Sequence, residues 1–308
     1  MARPRPVFPD RFGLISRRCT QRQLLLRPDP ATNDTFTYVL ADAARRTGVQ
    51  VVLSQLMSNH HHTVVHDPLG NEVEFREHLH KFVAKAQNAL RGRWENLWSS
   101  EEPCVVEIIS ADDLLDKLVY VATNPVKDGL VDKVHHWPGP KFLQALRSGK
   151  PMRVRRPAHF FRQDGTMPAE LELVLGLPES FERKAEFLAE LDRRIAEVEA
   201  ACAAERQRTG RQVLGRRRVL RQCWRDTPTS REPRGGLRPR VAARSKWHRI
   251  AALQRNKEWE AEYRVARLAL RRGEDVEFPY GTYWVARFVG VRVKPPASAA
   301  SCAWRTAN

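Results

Sequence analysis

Residues 59–62 read Asn-His-His-His and lie between the runs VVLSQLM and TVV. If residues 60–66 are extended, successive side chains alternate between the two faces of the strand. His60 and His62 then share one face, and His61 joins Thr63 and Val65 on the other. Two imidazoles at i and i+2 can hold one divalent cation. Apolar flanks would fix that pair on a rigid sheet, as a catalytic site requires. The plain alternative is a polar hairpin edge with solvated histidines. His66 falls on the face of His60 and His62 and reads as a supporting or simply solvated residue.

The elements that must position these side chains follow from pattern. Residues 12–19 read as a strand. Residues 33–47 carry apolar positions at helical spacing behind Asn33 or Asp34 as N-cap, and Gly48 stops that helix. Residues 49–57 alternate and are β-branched, a second strand. Ser58 and Asn59 form a tight turn, and residues 60–66 pair back on the second strand. A helix over 73–90, a strand over 104–110 and a helix over 111–125 follow. Pro125 ends the last of these, because the residue before a proline avoids the α region. The order predicts an α+β fold, a ferredoxin-like split βαβ antiparallel sheet with helices on one face.

Beyond residue 138 the signals change. Residues 138–180 are rich in Pro, Gly and Arg and read as loop with small packing elements. Residues 181–208 form an amphipathic helix with Phe181, Phe187, Leu188, Leu191, Ile195 and Val198 on one stripe. A flexible basic connector, a helix over 243–272 and an aromatic, β-rich tail complete the chain. The expected division is 1–140, then 141–210 as connector and amphipathic helix, then 211–308 as a mostly helical, basic, DNA-binding extension.

Charge separates these parts. The 308 residues carry a net charge of +17. Residues 1–200 hold 28 Lys and Arg against 27 Asp and Glu, whereas 201–308 hold 25 against 9. A near-neutral body with a basic extension points to a polyanionic partner, nucleic acid first; a solvated arm is the alternative. The five cysteines are scattered without a CxxC pair, against a disulfide framework or a cysteine zinc site. No apolar run is long enough to span a membrane, and no secretory leader is evident. The expectation is a cytoplasmic, nucleoid-associated protein.

Two segments carry a resemblance. LMSNHHHTVV at 56–65 resembles the MPNHVHLL-type strand of the HUH single-tyrosine transposases, in particular the REP-associated tyrosine transposase branch. LLDKLVYVATNPVKDGLV at 114–131 is similar to that family's YIxxNPVRAGLV segment. The resemblance covers about residues 8–140, which makes 1–140 the HUH transposase-like catalytic domain. Asn59 matches the family. Ser58 stands where the family often has Pro, and His61 where it has an apolar residue. A buried His61 costs about 1–3 kcal/mol unless it is hydrogen-bonded.

The resemblance implies that Tyr120 is the nucleophile. Helical spacing agrees: Leu114, Leu115, Leu118 and Ala122 share one face, and Tyr120 lies opposite with Asp113, Asp116 and Asn124. It further implies a cation, Mg2+ or Mn2+, held by His60 and His62 with Asn124 as third ligand. Imidazole alone would suit Zn2+ or Mn2+, and oxygen ligands move the preference towards Mg2+ or Mn2+. The implied reaction is cleavage and transfer of single-stranded or hairpin DNA through a 5′-phosphotyrosine. Arg17, Arg18 and Arg22 after the first strand, Arg91 and Arg93 beside Trp94 and Trp98, and Arg216, Arg217 and Arg218 are the candidate DNA contacts. Trp94 and Trp98 could stack unpaired bases or pack internally. A homodimer stays open. The competing functions are a catalytically silent DNA-binding protein on the same fold and a metal-dependent hydrolase that bypasses Tyr120.

Overall fold

The computed structural model describes residues 4–230 and 239–296. The β-branched runs form the sheet. β1 (Arg11–Arg18) lies between β3 (His60–Asp67) and β4 (Cys104–Ile108), and β2 (Gln50–Leu56) forms the edge beyond β3. These neighbours are all antiparallel. A fifth strand, β7 (Val241–Ala242), adds to β4 in parallel. The sheet is therefore mixed, in the order β2-β3-β1-β4-β7. This corrects the all-antiparallel expectation; two residues are too few to show alternation in a sequence.

Helices cover both faces rather than one. Val64 and Val65 are adjacent on β3 and both are buried, so neither face can meet water. α1 (Pro30–Thr47) and α2 (Glu72–Arg91) cover the His61 face, where Phe36 and His80 meet the His61 ring. α3 (Ala111–Lys127) covers the His62 face through Tyr120. Phe181, at the entry to α5 (Lys184–Thr209), packs edge-on against Phe12 on the same side.

Two helix ends differ from expectation. α1 starts at Pro30, because Asp29 accepts a 2.9 Å bond from the Thr32 amide and proline suits the first turn. α3 runs through Pro125 to Lys127. A proline there removes only the bond to the carbonyl four residues back, in the last turn of the helix.

The remainder is more ordered than its composition suggests. α4 (Phe142–Ser148) and the hairpin of β5 (Met152–Arg155) and β6 (Glu170–Leu173) are the small packing elements within the stretch read as loop. The basic connector is seated rather than free. The Leu214 and Gly215 amides donate to Gly129 and Leu130 at 2.8 and 2.9 Å. α6 (Arg216–Arg221) then buries Val219 among Met57, Val126, Val131 and Trp137. α7 (Lys246–Arg271) follows β7. The aromatic tail is mainly a helix, α8 (Trp284–Val289), beside the two-residue strands β8 (Glu277–Phe278) and β9 (Arg292–Val293). Among the described residues no helix is long and apolar enough to cross a membrane. Cys19, Cys104, Cys202 and Cys223 are free thiols, and Cys302 lies outside the described residues.

Candidate active site

Strand register decides which side chains meet. β1 and β3 pair Ser16 with His62 and Arg18 with His60, so these residues share one face. His62 Nδ1 lies 2.6 Å from Ser16 Oγ. His60 Nδ1 donates to Asn59 Oδ1 at 2.7 Å. Each ring therefore has one nitrogen held by an oxygen and leaves Nε2 as its other nitrogen. The two rings sit edge to face, 4.8 Å between centroids. This is how a metal-binding histidine is usually oriented, through the nitrogen that does not bind the metal.

α3 brings the rest. Tyr120 Oη lies 3.4 Å from His62 Nε2, and the two rings are 5.2 Å apart. Asn124, one turn on, is buried and acts on the His60 ring as a hydrogen-bonding partner. Its Oδ1 nevertheless has no hydrogen bond of good geometry. Lys117 and Lys127 place their ammonium groups 6.0 and 5.9 Å from the Tyr120 ring centre. Spacing could have found these lysines, since positions 117, 120, 124 and 127 form one helical stripe. Ser16 carried no signal in the sequence, because its role follows only from the β1–β3 register.

The protonation state of the two rings suits metal ligands, although the neighbouring charges are positive. Burial pushes the His60 imidazole down to about 4; Asn124 opposes that shift, and the charges of Arg18 and Arg22 add to it. Burial, then His60, His61 and Lys117, hold His62 well below the usual histidine range. Both rings are thus neutral at ordinary pH, the state that a metal ligand needs. Among the described residues no cluster of three or more His, Cys, Asp or Glu could enclose a metal. The donors present fit an open site: two oriented imidazoles and one unsatisfied amide oxygen, with positions left for phosphate oxygens or water.

His61 lies on the other face. Its Nδ1 is 3.0 Å from Thr63 Oγ1 and its Nε2 is 2.9 Å from His80 Nε2. Thr63 is in turn 2.9 Å from Ser54 Oγ. The hydrogen-bonding condition on burying this ring is met, and the odd histidine stays out of the site. His66 is buried and bonds Asp10 at 2.6 Å, so it is not solvated.

The candidate DNA contacts divide. Arg17 belongs to the His61 face, its guanidinium 5.5 Å from the Trp98 ring. Arg91 is 9% exposed and bonds Asp29 at 2.6 Å and Thr32 at 2.9 Å, which ties it to the N-terminus of α1. Arg18 lies beside His60 in register. Arg22 reaches Ser230, and Arg93 reaches Gln23 at 3.2 Å. Arg216, Arg217 and Arg218 are exposed on α6. Val219 holds that helix against Met57, before the His60 turn, and Val126, in the last turn of α3.

No protein-family model and no curated protein matches the chain. Among solved structures, a REP-associated tyrosine transposase bound to a REP hairpin is similar over 54% of this chain and 99% of that one. The identity is 17% and the TM-score 0.40. A protein from Deinococcus radiodurans R1 described as a transposase is similar over 34% of this chain and 85% of its own. Its identity is 18% and the TM-score 0.27.

Proposed function

We propose that the chain cleaves and rejoins single-stranded DNA, with Tyr120 as nucleophile and His60, His62 and Asn124 holding Mg2+ or Mn2+. One observation carries this reading. Two oriented neutral imidazoles, an unsatisfied buried amide oxygen and a tyrosine hydroxyl converge on one sheet face, with Tyr120 Oη 3.4 Å from His62 Nε2. The order of β2, β3, β1 and β4 suits it too, being that of a ferredoxin-like split βαβ sheet.

His60, His62 and Asn124 would hold the cation, which would supply Lewis-acid polarisation of the scissile phosphate. The chain's own residues do the remainder. Ser16 and Asn59 fix the imidazoles. Tyr120 gives up its phenolic proton to solvent, its Oη forms a bond to phosphorus, and the bond from phosphorus to the 3′ oxygen breaks. That oxygen takes a proton from solvent and leaves as a hydroxyl, and the 5′ end of the DNA stays on Tyr120 as a phosphodiester. Lys117 and Lys127 supply positive charge beside the ring while the phenolic oxygen is anionic. Attack by a 3′-hydroxyl on the phosphotyrosine reverses the step and joins strands. Arg216, Arg217 and Arg218 grip the backbone, so binding weakens steeply with salt. All the reacting groups come from one chain, so this chemistry needs no second copy.

Incubation with labelled single-stranded or hairpin DNA and Mn2+, followed by a denaturing gel, tests the reading. The expected result is a covalent adduct that falls on the order of a thousand-fold or more in Tyr120→Phe. Cleavage that survives Tyr120→Phe would point to hydrolysis instead. Binding without cleavage would point to a silent DNA-binding protein.

A further inference from the structure

The loop after α2, residues 92–98, carries two tryptophans with opposite fates. Trp98 is buried against His61 and His80, and its Nε1 donates to the His80 carbonyl at 2.8 Å. Trp94 is 89% exposed, and among the described residues no ring or guanidinium lies over it. The loop that presents it is tethered. Asn88 Nδ2 donates to the Glu95 carbonyl at 2.6 Å, and the Arg93 amide donates to the Asn88 carbonyl at 2.8 Å. The loop is also bonded to the C-terminal end of β1. The Thr20 amide donates to Leu97 and the Ser99 amide to Arg18, both at 2.9 Å. Arg18 is the register partner of His60.

The basic extension completes this rim. The Leu24 amide donates to Asp226 at 2.9 Å, and Arg27 donates to the Gln222 carbonyl at 3.0 Å, so residues 222–226 lie along residues 24–27. Trp224 is then bracketed by two guanidinium groups, Arg225 at 4.7 Å and Arg93 at 5.9 Å from its ring centre. A guanidinium stacked on an indole keeps its N–H edge for phosphate oxygens. An exposed indole on a tethered loop therefore follows directly on Arg93, one of this pair of oriented cations.

We infer that Trp94 is a stacking platform for an unpaired base of a DNA strand whose phosphates are held by Arg93 and Arg225. The rim makes the protein select single strands over duplex. A nucleobase outside a helix offers one flat face to the indole while its phosphates meet the arginines. In a duplex those faces are stacked inside, and Trp94 has nothing to cover. The substrate class rests on the reading of the site under Proposed function.

The test compares the full chain with Trp94→Ala and Trp94→Phe, by fluorescence anisotropy on a short thymidine homopolymer and on a blunt duplex, over a salt series. Trp94→Ala is expected to weaken binding of the single strand roughly 5- to 100-fold. Duplex binding and the salt slope should stay unchanged, because no phosphate contact is removed. Trp94→Phe should recover most of the loss. An alanine variant that binds the thymidine strand like the parent, or loses strand and duplex equally, overturns the inference. Melting temperatures exclude misfolding as the cause. Adduct formation through Tyr120 is scored on the same preparations. A Trp94 effect without adduct from the parent removes the cleavage reading and keeps the stacking site. Adduct formation with an indifferent Trp94→Ala removes the stacking site and keeps the cleavage reading.

Discussion

The two faces of β3 begin from the same residue type and end differently. On one face, His61 has both ring nitrogens engaged, by Thr63 and His80, and is wrapped by Phe36 and Trp98. On the other, His60 and His62 have Nδ1 held by Asn59 and Ser16. Their other nitrogens lie near Asn124, whose Oδ1 has no partner of good geometry, and a tyrosine hydroxyl at 3.4 Å. A buried polar group is normally satisfied. What separates a packed histidine from a working one is thus the capacity left over. The closed face gives stability, and the open face keeps the capacity that the proposed chemistry needs.

Acid should break both faces at once, with the largest effect. Burial holds His61 down to about 3 and His60 down to about 4, with His62 and His80 also well below the ordinary value. Because the folded values lie below the unfolded value of about 6.5, the unfolded chain takes up protons first. Stability is full above that value and falls as pH drops from about 6.5 towards 3, by an amount on the order of several kcal/mol. Chemical denaturation across that range, followed by circular dichroism, checks the sign.

Substitution of the closed face should act on the fold alone. His61→Ala leaves a cavity and deprives His80 Nε2 of its partner. A loss of about 2–5 kcal/mol is expected, with Mn2+ affinity retained in the folded fraction. Urea titration and metal titration on one preparation separate the two. Ser16→Ala is the reverse case and the smallest of the three. It should lower cation affinity about 10- to 100-fold by freeing the His62 ring, while shifting the urea midpoint little. A Ser16→Ala variant that unfolds early and binds Mn2+ normally would merge the two faces into one structural unit.

The division of the histidines was legible from strand alternation, since it needs only the extended state of residues 60–66. What surrounds each one was not. His80 lies 19 residues from His61, on α2, and no local rule pairs them. Ser16 acts through a register set 46 positions away. The second layer of helices was hidden in Val64 and Val65, whose adjacency marks a strand covered on both sides. Charge alone cannot show that Arg91 is paired with Asp29 at the N-terminus of α1. The connector looked flexible because its composition is basic, although one buried side chain, Val219, and backbone bonds to Gly129 and Leu130 seat it.

Mn2+ binding to the full chain, followed by electron paramagnetic resonance in the parent and in His60→Ala, His61→Ala and His62→Ala, tests the division of the strand most directly. The expected result is binding in the parent and in His61→Ala, and its loss in His60→Ala and His62→Ala. Absence of binding in the parent, or equal loss in all three variants, would contradict it.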